Sequence, residues 1–118
     1  MTFSKADRIR KSEEYRALSI NGHRFFSDFF IIIYKKNRLP VSRLGITVSK
    51  KVGNAVNRNR IKRVVREFFR LNRDILPDRL DINVIARKSC GKVTRVTIRD
   101  NLEHSLKSIA VEVCFRSE

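Results

Sequence analysis

A chain of 118 residues is the length of one domain, and folding it removes about two-thirds of its unfolded surface from water. Its 27 Lys and Arg against 12 Asp and Glu leave a net charge of +15, which implies a polyanionic partner. The longest apolar run, Phe29 to Tyr34, is too short to span a bilayer, and the N-terminus has no apolar signal-peptide core, so the chain is expected to be cytoplasmic and to have no membrane partner.

The charge is uneven. Residues 1–75 hold 19 basic against 6 acidic residues, while residues 76–118 hold 8 against 6 and read as ordinary protein. In chain order, Lys5 to Lys11 is basic and belongs to an N-terminal arm over residues 1–11. A first helix follows over Ser12 to Ile20, with Ser12 as N-cap, Glu13 and Glu14 in the first turn and Asn21-Gly22 closing it. Arg24 to Ser27 reads as a short strand. Asp28 to Lys36 reads as a longer one, whose apolar run implies burial on both faces. Period-two alternation sets Phe29, Ile31 and Ile33 against Phe30, Ile32 and Tyr34. Asn37 to Pro40 turns the chain into a third strand, Arg43 to Ser49.

Lys50 to Arg73 is the most informative stretch. It packs nine Lys or Arg residues against a single carboxylate, Glu67, yet Ile61, Val64, Val65, Phe68, Leu71, Ile75 and Leu76 still recur at helical spacing. Lys62, Arg66, Arg70 and Arg73 fall on the opposite half of the wheel, with Arg60 and Arg63 beside them. Gly53 supplies a turn and Asn54 or Asn57 an N-cap. Arg58 and Arg60 then sit in or near the first turn, where the helix dipole disfavours cations by roughly 0.3–1 kcal/mol each. Cations placed against the dipole, beside free backbone N–H groups, suit an anion such as phosphate. Pro77-Asp78 makes the next turn, Asp81 to Arg87 a short buried strand, and Gly91 opens the last loop. Ile98, Leu102, Leu106, Ile109 and Val113 mark an amphipathic C-terminal helix.

Helix, strands, helix, strand, helix is an α+β sandwich, with helices packed on one sheet. Catalytic chemistry is not legible in it. His23 and His104 lie far apart, and Cys90 and Cys114 have neither metal nor redox spacing and read as reduced thiols. Asp74, Asp78 and Asp81 lie in a helix-to-strand turn, where Asp78 serves the turn rather than a two-metal site. No residue is assigned as catalytic or as a metal ligand. On the residues alone, a general RNA-binding module stays open beside a more specialised one. A DNA-binding regulator lacks the helix-turn-helix pair and dimer seam it would need.

The segment Lys50-Lys51-Val52-Gly53-Asn54-Ala55-Val56, Arg58-Asn59-Arg60-Ile61-Lys62-Arg63 and Arg66-Glu67 resembles the signature of the bacterial ribonuclease P protein subunit. The likeness extends to Arg8-Ile9-Arg10-Lys11 with Glu14-Tyr15, to Leu44 through Ser49, and to Asp81-Ile82 and Ala86-Arg87-Lys88. That resemblance implies a left-handed βαβ crossover around the basic helix, against the usual hand. It also implies an accessory subunit, monomeric by itself and without a DNA partner. Its partners would be a catalytic RNA and precursor tRNA, whose 5′ leader the complex removes. Mg2+ would be required by the complex and held mainly by RNA.

The resemblance assigns RNA binding to Lys50, Lys51, Arg58, Asn59, Arg60, Lys62, Arg63 and Arg66, and Asn57 and Arg70 are added from the same helix. The leader is expected in a cleft between the sheet and the first helix, served by Arg10, Lys11, Tyr15, Phe30 and Tyr34, with aromatic stacking as the physical basis. Ser19 departs from the pattern, standing where many members carry a second aromatic.

Overall fold

The computed structural model describes residues 5–116; residues 1–4 of the basic arm and the last two residues lie outside this range. Helix α1 (Ser12–Asn21) leads to strands β1 (His23–Phe26), β2 (Phe30–Lys36) and β3 (Arg43–Thr47), then helix α2 (Ala55–Leu71), strand β4 (Leu80–Ala86) and helix α3 (Arg95–Arg116). Short 3-10 turns occupy Lys5–Asp7, Arg73–Ile75 and Lys88–Lys92. The α+β sandwich expected from the sequence is present.

The four strands lie in the order β1-β2-β4-β3. β1 and β4 each pair with β2 antiparallel, and β3 pairs with β4 in parallel. A parallel pair needs a crossover rather than a hairpin, and α2 provides it. The register places residues in rows across the sheet. Phe25, Ile32, Val84 and Ile46 form one row, and His23, Tyr34, Ile82 and Leu44 another, both on the face covered by α2 and α3. The opposite face carries Phe26, Ile31, Ile85 and Thr47 in one row, then Arg24, Ile33, Asn83 and Gly45 in the next.

The main core fills the first face. Phe30, Ile32 and Tyr34 of β2 meet Ile61, Val64, Val65, Phe68 and Phe69 of α2 and Ile98, Leu102, Ile109 and Val113 of α3. A smaller cluster on the other face joins Ile9, Leu18 and Ile33, with Tyr15, Ile31 and Ile85 against it. Burial of β2 on both faces is therefore observed, and it accounts for an apolar run without polar alternation.

Two helix boundaries differ from the sequence expectation, at the start of α1 and the end of α2, while the cap of α2 falls on one of the two residues expected. Lys11, not Ser12, occupies the cap of α1, its N–H donating to Glu14 Oε1 at 3.4 Å. Asn54 is the cap of α2, its Oδ1 accepting from the Asn57 N–H at 2.9 Å. α2 also stops at Leu71, where Asn72 turns its Nδ2 onto the Phe68 carbonyl at 2.9 Å. Leu71 is consequently exposed rather than in the stripe, Phe69 is buried instead, and Leu76 reaches the core from beyond the helix.

Candidate nucleic-acid interface

The basic signature is built around the start of α2. Lys50 and Lys51 are exposed in the turn before Gly53. Asn59, Arg63 and Arg66 are exposed along the helix, and Arg58 and Lys62 are half-buried at its flank. Arg58 Nη1 reaches the Gly53 carbonyl only at 3.5 Å, a weak interaction that leaves its charge available. Among the described residues, Lys50, Lys51, Arg58, Lys62, Arg63 and Arg66 take part in no ion pair with a carboxylate. Arg70 does, binding Glu67 one turn before it. This surface leaves its cations free for an external anion.

Two signature residues turn inward. Asn57 donates from Nδ2 to the Gly91 carbonyl at 2.8 Å, and Arg60 donates from Nε to Asn57 Oδ1 at 3.0 Å and from Nη2 to the Val93 carbonyl at 3.2 Å. They brace the Lys88–Lys92 turn against α2. The approach is close: a Cβ on Gly91 would lie 2.2 Å from the Val52 carbonyl oxygen, so no other residue fits there. Cys90, buried in the same turn, has its thiol pushed up to about 11 by desolvation, against the pull of the Arg60 charge. It is a packing residue. Cys90 is buried and Cys114 exposed, and both are free thiols.

Of the residues expected to meet the leader, Tyr15 lies on the α1 side of the sheet, half-buried over Gly45. Its hydroxyl donates to the Ile9 carbonyl at 3.1 Å. Burial raises its pKa, against the lowering by the Ile46 backbone and the Arg66 charge. Arg10 and Lys11 are exposed at the entry to α1, beside Arg8. Phe30 and Tyr34 are corrections. Both point to the helical face and are 0% and 1% exposed, and Tyr34 donates its hydroxyl to Glu112 of α3. Alternation alone cannot say which set faces the helices, because both sets are apolar.

The register supplies what alternation lacks. Phe26, 61% exposed, Ile31, Ile85 and Thr47 form one row over all four strands on the α1 side of the sheet, exposed at its two ends and half-buried between them. Sequence reasoning misses Phe26 because β1 is short and its partner strand is not written in its own residues.

Arg43 anchors the other end. It donates to both Asp81 oxygens, at 2.9 and 2.8 Å, and to Glu14 Oε2 at 2.9 Å. Those bonds raise its own pKa, with Asp81 the larger contributor. Burial would push the Glu14 and Asp81 carboxyls up, but hydrogen bonds led by Arg43 outweigh it and hold both below their ordinary values. Among the described residues no three His, Cys, Asp or Glu side chains gather as a metal site, and the Glu14 and Asp81 carboxylates share Arg43 as their partner. No helix among the described residues is long and apolar enough to cross a membrane.

Comparison with known proteins agrees with this arrangement. A family model described as Ribonuclease P matches residues 3–110. The ribonuclease P protein component of Desulfatibacillum aliphaticivorans is 43% identical over 109 residues, covering 92% of this chain and 92% of that one. The fold is similar to the solved RNase P protein of Staphylococcus aureus, with a TM-score of 0.85 at 40% identity over 91% of this chain and 98% of that chain. The RNase P protein from Thermotoga maritima gives a TM-score of 0.79 at 36% identity, over 86% and 96% of the two chains. A basic helix with unpaired cations, set in the crossover of a four-stranded sheet and matched over nearly its full length, places the chain in the ribonuclease P protein family, as a protein component of ribonuclease P.

Proposed function

We propose that this chain binds the catalytic RNA of ribonuclease P through the free cations of α2 and steers the 5′ leader of precursor tRNA over the α1 side of the sheet. The complex then hydrolyses one phosphodiester bond to give the mature tRNA 5′ end. The observation that carries the reading is the separation of two surfaces. α2 offers unpaired positive charge, which binds phosphate without regard to sequence. The Phe26, Ile31, Ile85 and Thr47 row, with Tyr15 beside it, offers apolar surface on which unpaired bases can stack.

Cleavage would reside in the RNA, with Mg2+ held there. This chain contributes charge and a stacking platform, as a monomer in a cytoplasmic ribonucleoprotein. Tyr15 keeps its place in the leader assignment, with Arg10 and Lys11 as phosphate partners at the N-terminal end of α1. Arg58, Lys62, Arg63 and Arg66, with Lys50 and Lys51, are the phosphate partners on and before α2. Asn57 and Arg60 act one step back, holding the neighbouring turn in place.

The test is cleavage of a precursor tRNA by the catalytic RNA at low magnesium, with and without the protein, beside a protein-only arm. Cleavage at the mature 5′ end that needs both partners is the expected result. Cutting by the protein alone would refute the division of labour, and tight RNA binding with no stimulation would leave a general RNA-binding module.

A further inference from the structure

The C-terminal third is near neutral in total but not in layout. From Arg87 to Arg99 there are five basic residues and no carboxylate, whereas residues 100–118 hold two basic and four acidic residues. The fold brings the basic part alongside α2. Arg63, Val64 and Glu67 of α2 and Arg95 and Arg99 of α3 line one groove of about 300 Å³ between the two helices. Arg63, Arg95 and Arg99 are exposed, and among the described residues none of them is in an ion pair. Glu67, the carboxylate of the groove, is bound by Arg70.

Folding alone does not explain these arginines. α3 is capped by Thr94, whose Oγ1 accepts from the Thr97 N–H at 3.2 Å, and its first turn has no acidic residue. Arg95 therefore stands where the helix dipole opposes it, as Arg58 does on α2, and Arg99 lies one turn further along the same groove. The groove is also held open in a fixed shape. Asn57 and Arg60 tie the chain at Gly91 and Val93, directly before α3, to the body of α2. The backbone that carries these cations is thus set in place before an anion arrives.

We propose that the groove between α2 and the start of α3 holds a second stretch of RNA backbone, on Arg63, Arg95 and Arg99. The RNA surface of the chain then spans two helices rather than one. The inference rests on the ribonuclease P reading above, and its partner is the same catalytic RNA.

Equilibrium binding of the full chain to the ribonuclease P RNA, measured across a salt series, tests it. Removing one cation that neutralises a phosphate should reduce the slope of log affinity against log salt by about 0.9 for a duplex, so R95Q/R99Q should be shallower by about 1.8 and bind about sixty-fold more weakly at 0.1 M salt. R95K/R99K, which keeps the charge, should retain the wild-type slope, and K107Q, at the far part of α3, should leave it unchanged. An unchanged slope for R95Q/R99Q beside normal wild-type binding overturns this inference and leaves the α2 reading intact. An equal loss in K107Q or in R95K/R99K overturns it as well, because the effect would then be general charge or packing. Failure of the wild-type chain to bind the RNA overturns both.

Discussion

The two faces of the sheet are made from the same kinds of residue and put to opposite uses. The face under α2 and α3 buries Phe30, Ile32 and Tyr34 almost completely beneath two long helices. The face under α1 is covered by a helix of only 10 residues. Leu18 shields Ile33 and Tyr15 shields Gly45, but Phe26 stays open. What makes an aromatic residue available to a ligand here is the length of the helix above it, rather than its chemistry.

Substitutions on the two faces should separate accordingly. Tyr34→Ala removes a fully buried ring and its bond to Glu112, and should cost about 3–5 kcal/mol of stability by denaturant unfolding. A loss below about 1 kcal/mol would mean that the helical face is not the closed one. Arg43→Ala leaves Glu14 and Asp81 without their shared partner and should cost about 1–3 kcal/mol, since the groups are partly screened by water.

The same network sets a pH dependence. Both carboxyls have folded pKa values below their unfolded ones, so their contribution is complete above the ordinary carboxylate pKa and is lost as pH falls through the folded values. Wild-type stability should therefore fall below about pH 4 more steeply than that of Arg43→Ala. Parallel acid limbs for the two proteins would remove Arg43 from that role.

Gly45→Ala places a methyl group 2.6 Å from the Tyr15 ring, so the ring must give way. It should cost about 1–3 kcal/mol and displace Tyr15, weakening precursor tRNA more than mature tRNA in a binding comparison. Equal loss for both substrates would detach Tyr15 from the leader. Phe26→Ala should change stability by less than about 0.5 kcal/mol yet cost about 1–3 kcal/mol of leader affinity. Unchanged discrimination between precursor and mature tRNA would show that the open row does not stack bases.

Helix α2 is legible in the sequence because an amphipathic period of 3.6 survives a dense run of cations. Strand β2 is legible too, as a segment buried on both sides. No local signal chooses a face for Phe30 and Tyr34, because that choice is made by β4, which pairs with β2 from some fifty residues away. Nor does the sequence tell Arg60 from Arg63. Both are arginines on one helix, and only the positions of Asn57 Oδ1 and the Val93 carbonyl turn the first inward. The end of α2 is hard to read for a local reason, since Asn72 stops a helix whose apolar pattern continues to Leu76. Phe26 carries no signal at all until its row across the sheet is known.

The strand order has a consequence for the chain as it leaves the ribosome. β4 is the last strand made, yet it sits between β2 and β3, which are not neighbours of each other without it. Until Leu80–Ala86 has emerged, β2 and β3 each keep an unpaired edge, and the crossover helix between β3 and β4 has no finished sheet to pack on. By then most of the positive charge is already outside the exit tunnel. The sheet can therefore close only when most of the cationic part of the chain has been made, and the main core only when α3 has followed.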